Sequence, residues 1–133
     1  MRIESIDHLV LTVTDIEATC RFYQSVLGME VVTFGGGRRA LRFGMQKINL
    51  HEVGRELDPK AARPVAGSGD LCLITAVPIA EAEAHIRAQG IAIEIGPVTR
   101  TGAMGPITSL YIRDPDQNLV EISSYQGAAI IPG

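Results

Sequence analysis

The 133-residue sequence contains no tryptophan, and aromatic residues make up only 5% of it, so its core must be built from aliphatic side chains. No apolar run approaches the roughly 20 residues that a membrane-spanning helix needs. No run of Lys or Arg is longer than the pair Arg38-Arg39, and the net charge is −3. These features exclude the basic surface of nucleic-acid-binding proteins and the basic patch of proteins that lie on membranes.

Cysteine is also scarce. Cys20 falls in a helical pattern and Cys72 in a strand pattern, far apart in the chain. Isolated cysteines in such patterns are expected to be small buried hydrophobic residues of a protein from a reducing compartment. A CxxC motif is absent, and Met1 leads into a strand-like segment with no signal-peptide pattern. The sequence therefore predicts a cytoplasmic location.

Residues 1–53 follow the order strand, helix and three strands. The β-rich run Ile6–Val13 is followed by Thr14 and Glu17, whose spacing is that of a capping box that opens a helix. Apolar residues recur at helical spacing up to Gly28, which we expect to end the helix in a left-handed conformation. Glycine-containing turns then separate three predicted strands: Met29–Phe34, Arg38–Phe43 and Gln46–Val53.

The same order returns later in the chain. A second helix is expected between Pro78 and Gly90. A turn at Asp114–Gln117 precedes the last strand, and Asn118 is suited to a left-handed conformation. The predicted strands of this second copy are Asp70–Ala76, Ile91–Ile95, Pro106–Ile112 and Asn118–Ser124.

These patterns predict one domain, residues 1–133, that is built from two modules. Module one spans residues 1–53 and module two residues 70–125. The aperiodic, proline-containing residues 54–69 are interpreted as a linker, and residues 126–133 as a tail. Two βαβββ modules indicate an α+β fold with two curved mixed sheets, each covered on one side by its own helix, around a shared cup.

Four stretches of the sequence are typical of one known family: Ile6–Leu11, Phe22-Tyr23 with Leu27–Met29, Ile48–Glu52 and Asp114–Glu121, of which the last is the most specific. On these stretches the chain resembles the vicinal oxygen chelate superfamily of glyoxalases, bleomycin resistance proteins and dioxygenases. Further stretches, among them Ile48–Val53, Asp70–Thr75 and Gly96–Val98, are most similar to glyoxalase domain-containing protein 5 and to bacterial proteins described as lactoylglutathione lyases.

The resemblance implies a divalent metal ion in the cup. Carried over by position, His8 on the first strand and Glu121 on the last are the expected ligands. A carboxylate inside the run Leu119–Ile122 is also costly to bury unless it is paired or metal-bound. Asn49 and His51 share one face of the fourth strand, and His51 is chosen as the third ligand because imidazole is much the better donor.

The metal could be zinc, nickel, iron, manganese or cobalt, and its identity is not predicted. Asp70 stands near where the family commonly has a further histidine, so that ligand is either replaced by Asp70 or missing. The resemblance implies a lyase or isomerase of glyoxalase type acting on a small-molecule substrate, with Glu121 as the catalytic base, and a homodimer. An Fe(II) extradiol-type dioxygenase and a metal-free binding protein of the resistance type are the alternatives.

Residue types alone leave other interpretations open. Arg100 lies in the apparent loop 100–105 and could hold an anionic substrate group, or it could be an ordinary solvated arginine. Glu121 could pair with an arginine such as Arg42 or Arg113 instead of a metal. His85 in the second helix is expected to be solvated and is given no role.

Overall fold

A computed structural model describes residues 1–126, so the predicted tail 126–133 lies outside the described residues except for its first position. The described chain contains two helices and eight strands. They divide into two compact units, Met1–Ser68 and a second that begins at Gly69. Each unit has the order βαβββ and one four-stranded mixed sheet, which confirms the predicted α+β class and its two modules. None of the helices in residues 1–126 has both the length and the apolar character needed to cross a bilayer.

In the first unit, the strand order is β1-β4-β3-β2. β1 and β4 are parallel, and the other two pairs are antiparallel. The first strand of the unit therefore lies beside its last strand. Their pairing sets which residues from the two ends of the unit are neighbours in the sheet. The elements are β1 (His8–Val13), α1 (Ile16–Leu27), β2 (Glu30–Phe34), β3 (Arg38–Phe43) and β4 (Gln46–Glu52).

Helix α1 begins one residue later than the capping-box pattern predicts. The N-cap is Asp15 and not Thr14, and Asp15 Oδ1 accepts a hydrogen bond from the Ala18 backbone N–H at 3.0 Å. A carboxylate is also the better cap because it complements the positive end of the helix dipole. Gly28 ends the helix with φ +68°, so the predicted left-handed cap is confirmed.

An aliphatic core lies between α1 and its sheet. Tyr23 and Val26 of the helix are buried, as are Leu41, Ile48 and Leu50 of the strands. Burying side chains of this size contributes about 1.5–3 kcal/mol each. This packing holds β3 and β4 rigidly, and those two strands carry most of the polar residues considered below.

The second unit repeats the plan with the strand order β5-β8-β7-β6. β5 and β8 are parallel and the other pairs antiparallel. The elements are β5 (Asp70–Ile74), α2 (Ile79–Ala88), β6 (Ile95–Gly102), β7 (Gly105–Arg113) and β8 (Leu119–Ser124).

Strand β6 differs from its prediction at both ends. The predicted strand Ile91–Ile95 is wrong, because the strand only begins at Ile95. The predicted loop 100–105 is also wrong, since β6 continues to Gly102 and a tight turn leads into β7. The strand lies at the edge of its sheet, where alternate polar side chains are exposed, so its sequence has no apolar period to reveal it.

The turn before β8 is held by buried side chains. Asn118 does not take the left-handed conformation; Gln117 does, with φ +69°. Asn118 Nδ2 donates to Asp114 Oδ2 at 2.8 Å, and Asn118 Oδ1 accepts from the Gly69 N–H at 2.7 Å. Asp114 Oδ1 also accepts from the backbone N–H of Asn118. The side chain of Asn118 is thus hydrogen-bonded to Asp114 and Gly69, and the preceding residue, Gln117, takes the left-handed conformation of the turn.

Candidate functional site

The first sheet has a side that faces α1 and a side that does not. Arg39 of β3 contacts Glu17 of α1 and pairs with Leu50, so the Leu50 side faces the helix. Side chains alternate along strands, and therefore the intervening residues point to the other side. We call this side the open face of the first unit. It carries His8, Val10, Thr12, Lys47, Asn49, His51, Arg38, Ala40, Arg42 and Phe34.

His8 is oriented by the residue before it. Its Nδ1 lies 2.7 Å from Asp7 Oδ2, and a carboxylate can only accept, so Nδ1 carries the proton. Nε2 is then the nitrogen whose lone pair is available, and the side chain is 45% exposed. A carboxylate bonded to the second ring nitrogen is the arrangement that orients metal-binding histidines. The geometry of His8 therefore fits the predicted role.

Two buried polar atoms on the open face have no hydrogen-bond partner. They are Nε2 of His51, a residue that is 8% exposed, and Oδ1 of Asn49, which is 5% exposed. A buried polar atom without a partner costs about 1–3 kcal/mol, which a suitable ligand would recover. Both atoms are therefore candidates for contact with a bound ion or molecule.

The strand register sets how far apart these residues lie. His8 pairs with Lys47, and His51 pairs with Thr12. Four residues of strand separate His8 from Thr12, which is about 13 Å at 3.3 Å per residue. The structure therefore brings His8 and His51 to one face but not into neighbouring positions. The sequence left Asn49 open as a ligand. Asn49 lies halfway along the strands between the two histidine positions, so it is nearer to His8 than His51 is.

Glu121 lies on the second sheet, on the side opposite the buried residues Leu110, Ile112, Val120 and Ile122. Its Oε2 accepts from Ser109 Oγ at 2.6 Å and from Ser123 Oγ at 3.3 Å. The two hydroxyls are also 2.7 Å from each other, and both serines are fully buried. Glu121 therefore sits on a fixed platform of hydroxyl groups and not beside an arginine.

The arginines that the sequence offered as partners of Glu121 are engaged elsewhere. Arg42 forms a bidentate pair with Glu30, with both distances 3.1 Å. Arg113 donates to both oxygens of Glu94, at 3.0 and 3.2 Å. These donations lower the pKa of Glu94 from its ordinary value. Neither arginine is therefore an ion-pair partner of Glu121.

Cys72 contradicts its sequence prediction. Cys20 is buried as expected, but Cys72 is exposed, because it lies on the edge strand β5. It pairs in register with Glu121, and its Sγ lies 3.2 Å from Ser123 Oγ. Partial burial raises the pKa of the Cys72 thiol, the Ser123 hydrogen bond opposes that rise, and the charge of Glu121 adds to it.

Strand alternation places Ser123 on the face of Glu121, because residues two apart on a strand share a face. Sequence reasoning missed the other two neighbours of Glu121, which are Ser109 and Cys72. Ser109 and Cys72 come from other strands, and only the pairing register places them there. The register also places Asp70 opposite Leu119, one position along the same face from Glu121, and Asp70 is exposed.

Arg100 lies in strand β6 and not in a loop. Its Nε donates to the Tyr111 hydroxyl at 3.1 Å, and Nη1 donates to the Thr99 carbonyl at 3.2 Å. Tyr111 pairs with Glu121 in register, so Arg100 reaches over the strand next to the one that carries Glu121. The exposed guanidinium has its orientation fixed by these contacts.

No three His, Cys, Asp or Glu side chains within residues 1–126 come together in the geometry of a metal site. The individual donors nevertheless suit a divalent transition metal, because imidazole and carboxylate are its common protein ligands. His51 supports this fit with an unpartnered buried nitrogen, and His8 with a ring held by a carboxylate.

The first unit also contains an open cavity of about 470 Å³. Lys47 and Arg42 supply positive charge to its wall, and Asp7 supplies the acidic group that orients His8. The cavity therefore adjoins the open face at the row that contains His8 and Lys47. Its remaining lining residues are Gly44, Met45 and Gln46.

Comparison with known proteins shows which family shares this sequence and fold. The sequence model of the Glyoxalase/Bleomycin resistance protein/Dioxygenase superfamily matches residues 5–122. The chain is 59% identical over 125 residues to virulence protein STM3117 of Salmonella typhimurium, covering 94% of this chain and 87% of that protein. It is 55% identical over 128 residues to glyoxalase domain-containing protein RDO1 of Mycosarcoma maydis, covering 96% of this chain and 72% of that one.

Solved structures agree with the sequence matches. The crystal structure of the Salmonella protein superposes with a TM-score of 0.93 and covers 94% of this chain and 99% of that one. An integron cassette protein of V. cholerae, 56% identical, also gives 0.93, with 95% and 98% covered. A lactoylglutathione lyase of Agrobacterium tumefaciens gives 0.72 at 24% identity, with 94% and 96% covered, which shows a shared fold.

Proposed function

Because the chain belongs to the glyoxalase/bleomycin resistance protein/dioxygenase superfamily, we propose that it is a divalent-metal-dependent lyase or isomerase of glyoxalase type. The observation that carries the proposal is the buried Nε2 of His51, which has no partner on the open face of the first unit. A buried imidazole nitrogen is retained at a cost in stability, and metal binding is a function that would offset this cost.

The proposed ligands come from the sequence-predicted set His8, His51 and Glu121, and zinc, nickel, iron, manganese and cobalt all suit these donor types. Because about 13 Å of strand separates His8 from His51, we propose that one ion takes only one of the two imidazoles, and the unpartnered Nε2 favours His51. Fewer than four protein ligands leave positions free for substrate, as in catalytic sites. When bound, such an ion supplies Lewis acidity that polarises a substrate carbonyl.

Glu121 is the proposed base. Ser109 and Ser123 both donate to Oε2, which fixes the orientation of the carboxylate. Neither hydroxyl reaches Oε1, so Oε1 is the oxygen assigned to take a proton from the carbon next to the carbonyl. Arg100, held by Tyr111, is proposed as a substrate-binding residue on the same unit.

Metal binding is tested directly, without an activity assay. Protein purified without added metal is analysed for bound elements, and the stripped protein is then titrated with Co²⁺ while the visible d–d absorption is followed. We expect one equivalent to bind, and His51→Ala and Glu121→Gln to weaken the affinity about tenfold or more, with a smaller loss for His8→Ala. His85→Ala, which removes an exposed histidine of α2, is the matched control and should leave the affinity unchanged.

The reaction class is tested on the same preparations. Isomerisation of a hemithioacetal that stops with a chelator and returns with metal supports the proposal. Oxygen consumption with a catechol by iron-loaded protein would instead establish the extradiol-type dioxygenase. Small-molecule binding that survives His8→Ala and His51→Ala, with no metal retained, would establish the metal-free binding protein.

A homodimer in the cytoplasm completes the proposal. The strands β1 and β2 are the edges of the first sheet, and β5 and β6 those of the second. Edges of this kind are often covered by pairing with another chain. Both described cysteines are free, as expected in a reducing compartment. Sedimentation equilibrium over a range of concentrations measures the assembly state, and a monomer at all concentrations would contradict a dimer.

A further inference from the structure

The side chains of Lys47 and Phe34 meet above the first sheet although their strands are not neighbours. Nζ of Lys47 on β4 lies 4.0 Å from the centroid of the Phe34 ring on β2, a distance typical of cation–π contacts. Strand β3 lies between these two strands. The two side chains therefore cross β3 on the open face, which is the side of the sheet that does not face α1.

The strand register shows what lies beneath this crossing. Lys47 pairs with Arg42 on β3, and Phe34 pairs with the residue four positions earlier on the same strand. Ala40 is halfway between those two positions of β3, so the line from Lys47 to Phe34 passes over it. Asn49 pairs with Ala40 from β4 and lies beside the crossing.

Burial on the open face is greatest under the crossing. In the row of paired residues that contains Ala40, Val10 is 44% exposed, Asn49 5% and Ala40 0%. Helix α1 packs on the other side of the sheet, so it does not cover this row. The side chains of Lys47 and Phe34, which cross directly above Ala40, supply the cover.

The crossing is held by one weak contact. Arg42 pairs with Glu30, whereas no carboxylate of residues 1–126 forms an ion pair with Lys47. A cation–π contact at a partly exposed position is weak, and the flexible stem of a lysine swings aside without backbone movement. Arg38, the neighbour of Phe34 across the strands, contacts the same ring at 4.8 Å and holds it when Lys47 leaves.

An unsatisfied acceptor lies beside the crossing. Asn49 Oδ1 is buried and has no hydrogen-bond partner. A buried acceptor is costly to leave unpaired. Once Lys47 has moved aside, a ligand that supplies an O–H or N–H donor would complete it. The cover and the acceptor together are the features of a closed binding position.

We infer that Lys47 and Phe34 form a strap that closes the centre of the open face and opens to admit a small ligand to Asn49. The movement is a rotation of the Lys47 side chain, so the backbone of β3 and β4 stays in place. This inference goes beyond the proposed function, and it rests on that function only in taking the open face as the substrate side.

A thiol introduced beside the strap reports whether it opens. Asn49→Cys places a smaller side chain at the covered position, and Cys72→Ser removes the exposed native thiol from the same protein. Cys20 is retained because it is 3% exposed. The full-length protein, without added metal, is treated with iodoacetamide, and mass spectrometry of tryptic peptides follows the introduced thiol. We expect alkylation at least about tenfold slower than in urea-unfolded protein.

Two variants should open the strap. Lys47→Gln shortens and neutralises one side chain, and Phe34→Leu removes the ring but keeps apolar bulk. Each should speed alkylation at least about fivefold. Loss of a nearby positive charge would by itself slow a thiol, so a faster rate in Lys47→Gln reports access. Arg42→Gln, which removes the cation paired with Glu30, is the matched control and should change the rate less than about twofold.

A second measurement does not depend on the introduced thiol. In protein with the native Asn49, solvent exchange of its side-chain amide protons is followed in ¹H–¹⁵N spectra. This exchange should accelerate in Lys47→Gln and Phe34→Leu and not in Arg42→Gln.

Several results would overturn the inference. Alkylation of the introduced thiol at the unfolded rate would mean that the centre of the face is already open. Unchanged rates in Lys47→Gln and Phe34→Leu would mean that other groups cover it, and an equal increase in Arg42→Gln would remove the special role of the ring contact. No metal or substrate enters these measurements, so the strap and the metal proposal can each fail while the other stands.

Discussion

Replacing Asn118 by Ala is expected to destabilise the second unit strongly, because two buried contacts of its side chain are lost together. Asn118 is 1% exposed. Its Nδ2 donates to the buried carboxylate of Asp114, and its Oδ1 accepts from the Gly69 N–H. A hydrogen bond to a charged group contributes about 1.5–3 kcal/mol and a neutral one about 1 kcal/mol, so the total loss is about 3 kcal/mol.

Urea unfolding followed by circular dichroism measures this loss. With slopes of about 1–3 kcal/mol/M, the midpoint should fall by roughly 2 M at an unchanged slope. Gln24→Ala removes an exposed side-chain amide from α1 and should change stability by less than about 0.5 kcal/mol. A loss below about 1 kcal/mol for Asn118→Ala would refute the reasoning, since the two contacts could not then hold the turn.

Three further changes test the strands around Glu121. Gln117→Gly should be neutral or stabilise by up to about 1 kcal/mol in urea unfolding, because Gln117 has φ +69° and glycine adopts that conformation without strain. Gly96→Ala should cost about 3 kcal/mol or more, because at φ +114° its Cβ would lie 2.4 Å from the Ser109 carbonyl oxygen; a well-folded variant of normal stability would contradict this. Arg113 lowers the pKa of Glu94, so this pair stabilises the fold above the unfolded-state pKa of about 4.3 and stops doing so as the pH falls through the lower folded value. Glu94→Gln should therefore lower the urea midpoint at neutral pH but not in strong acid, and an equal difference at both would count against the pair.

Local patterns predicted most of the fold. The capping residues, the helical stripe and Gly28 lie within a few positions of one another, so they can be recognised without knowing the tertiary structure. Strand β6 was mispredicted because its exposed edge position removes the apolar alternation on which strand recognition depends. The left-handed residue was assigned to Asn118 and not Gln117 because the competing demand on the Asn118 side chain comes from Gly69, far away in the chain.

The candidate site was predicted less completely for the same reason. His8, His51 and Glu121 were identified by their types and by a family resemblance, but their environments depend on strand pairing. Asp7 could be seen as the neighbour of His8, whereas Ser109 reaches Glu121 only through the β7–β8 register. The orphan atoms on the open face could not be predicted, because burial of a polar atom without a partner is a property of the packed structure.

The last strand of each unit occupies an interior position, since β4 lies between β1 and β3, and β8 between β5 and β7. During synthesis, β5, α2, β6 and β7 therefore leave the ribosome before the strand that joins them exists. Until β8 emerges, β5 has no neighbour to pair with, and one edge of the β6–β7 hairpin stays unprotected. A truncation that removed only β8 would thus leave β5 separated from the β6–β7 hairpin, and not merely remove an edge strand. Nascent chains that lack β8 would expose unpaired backbone N–H and C=O groups through which they could associate with one another.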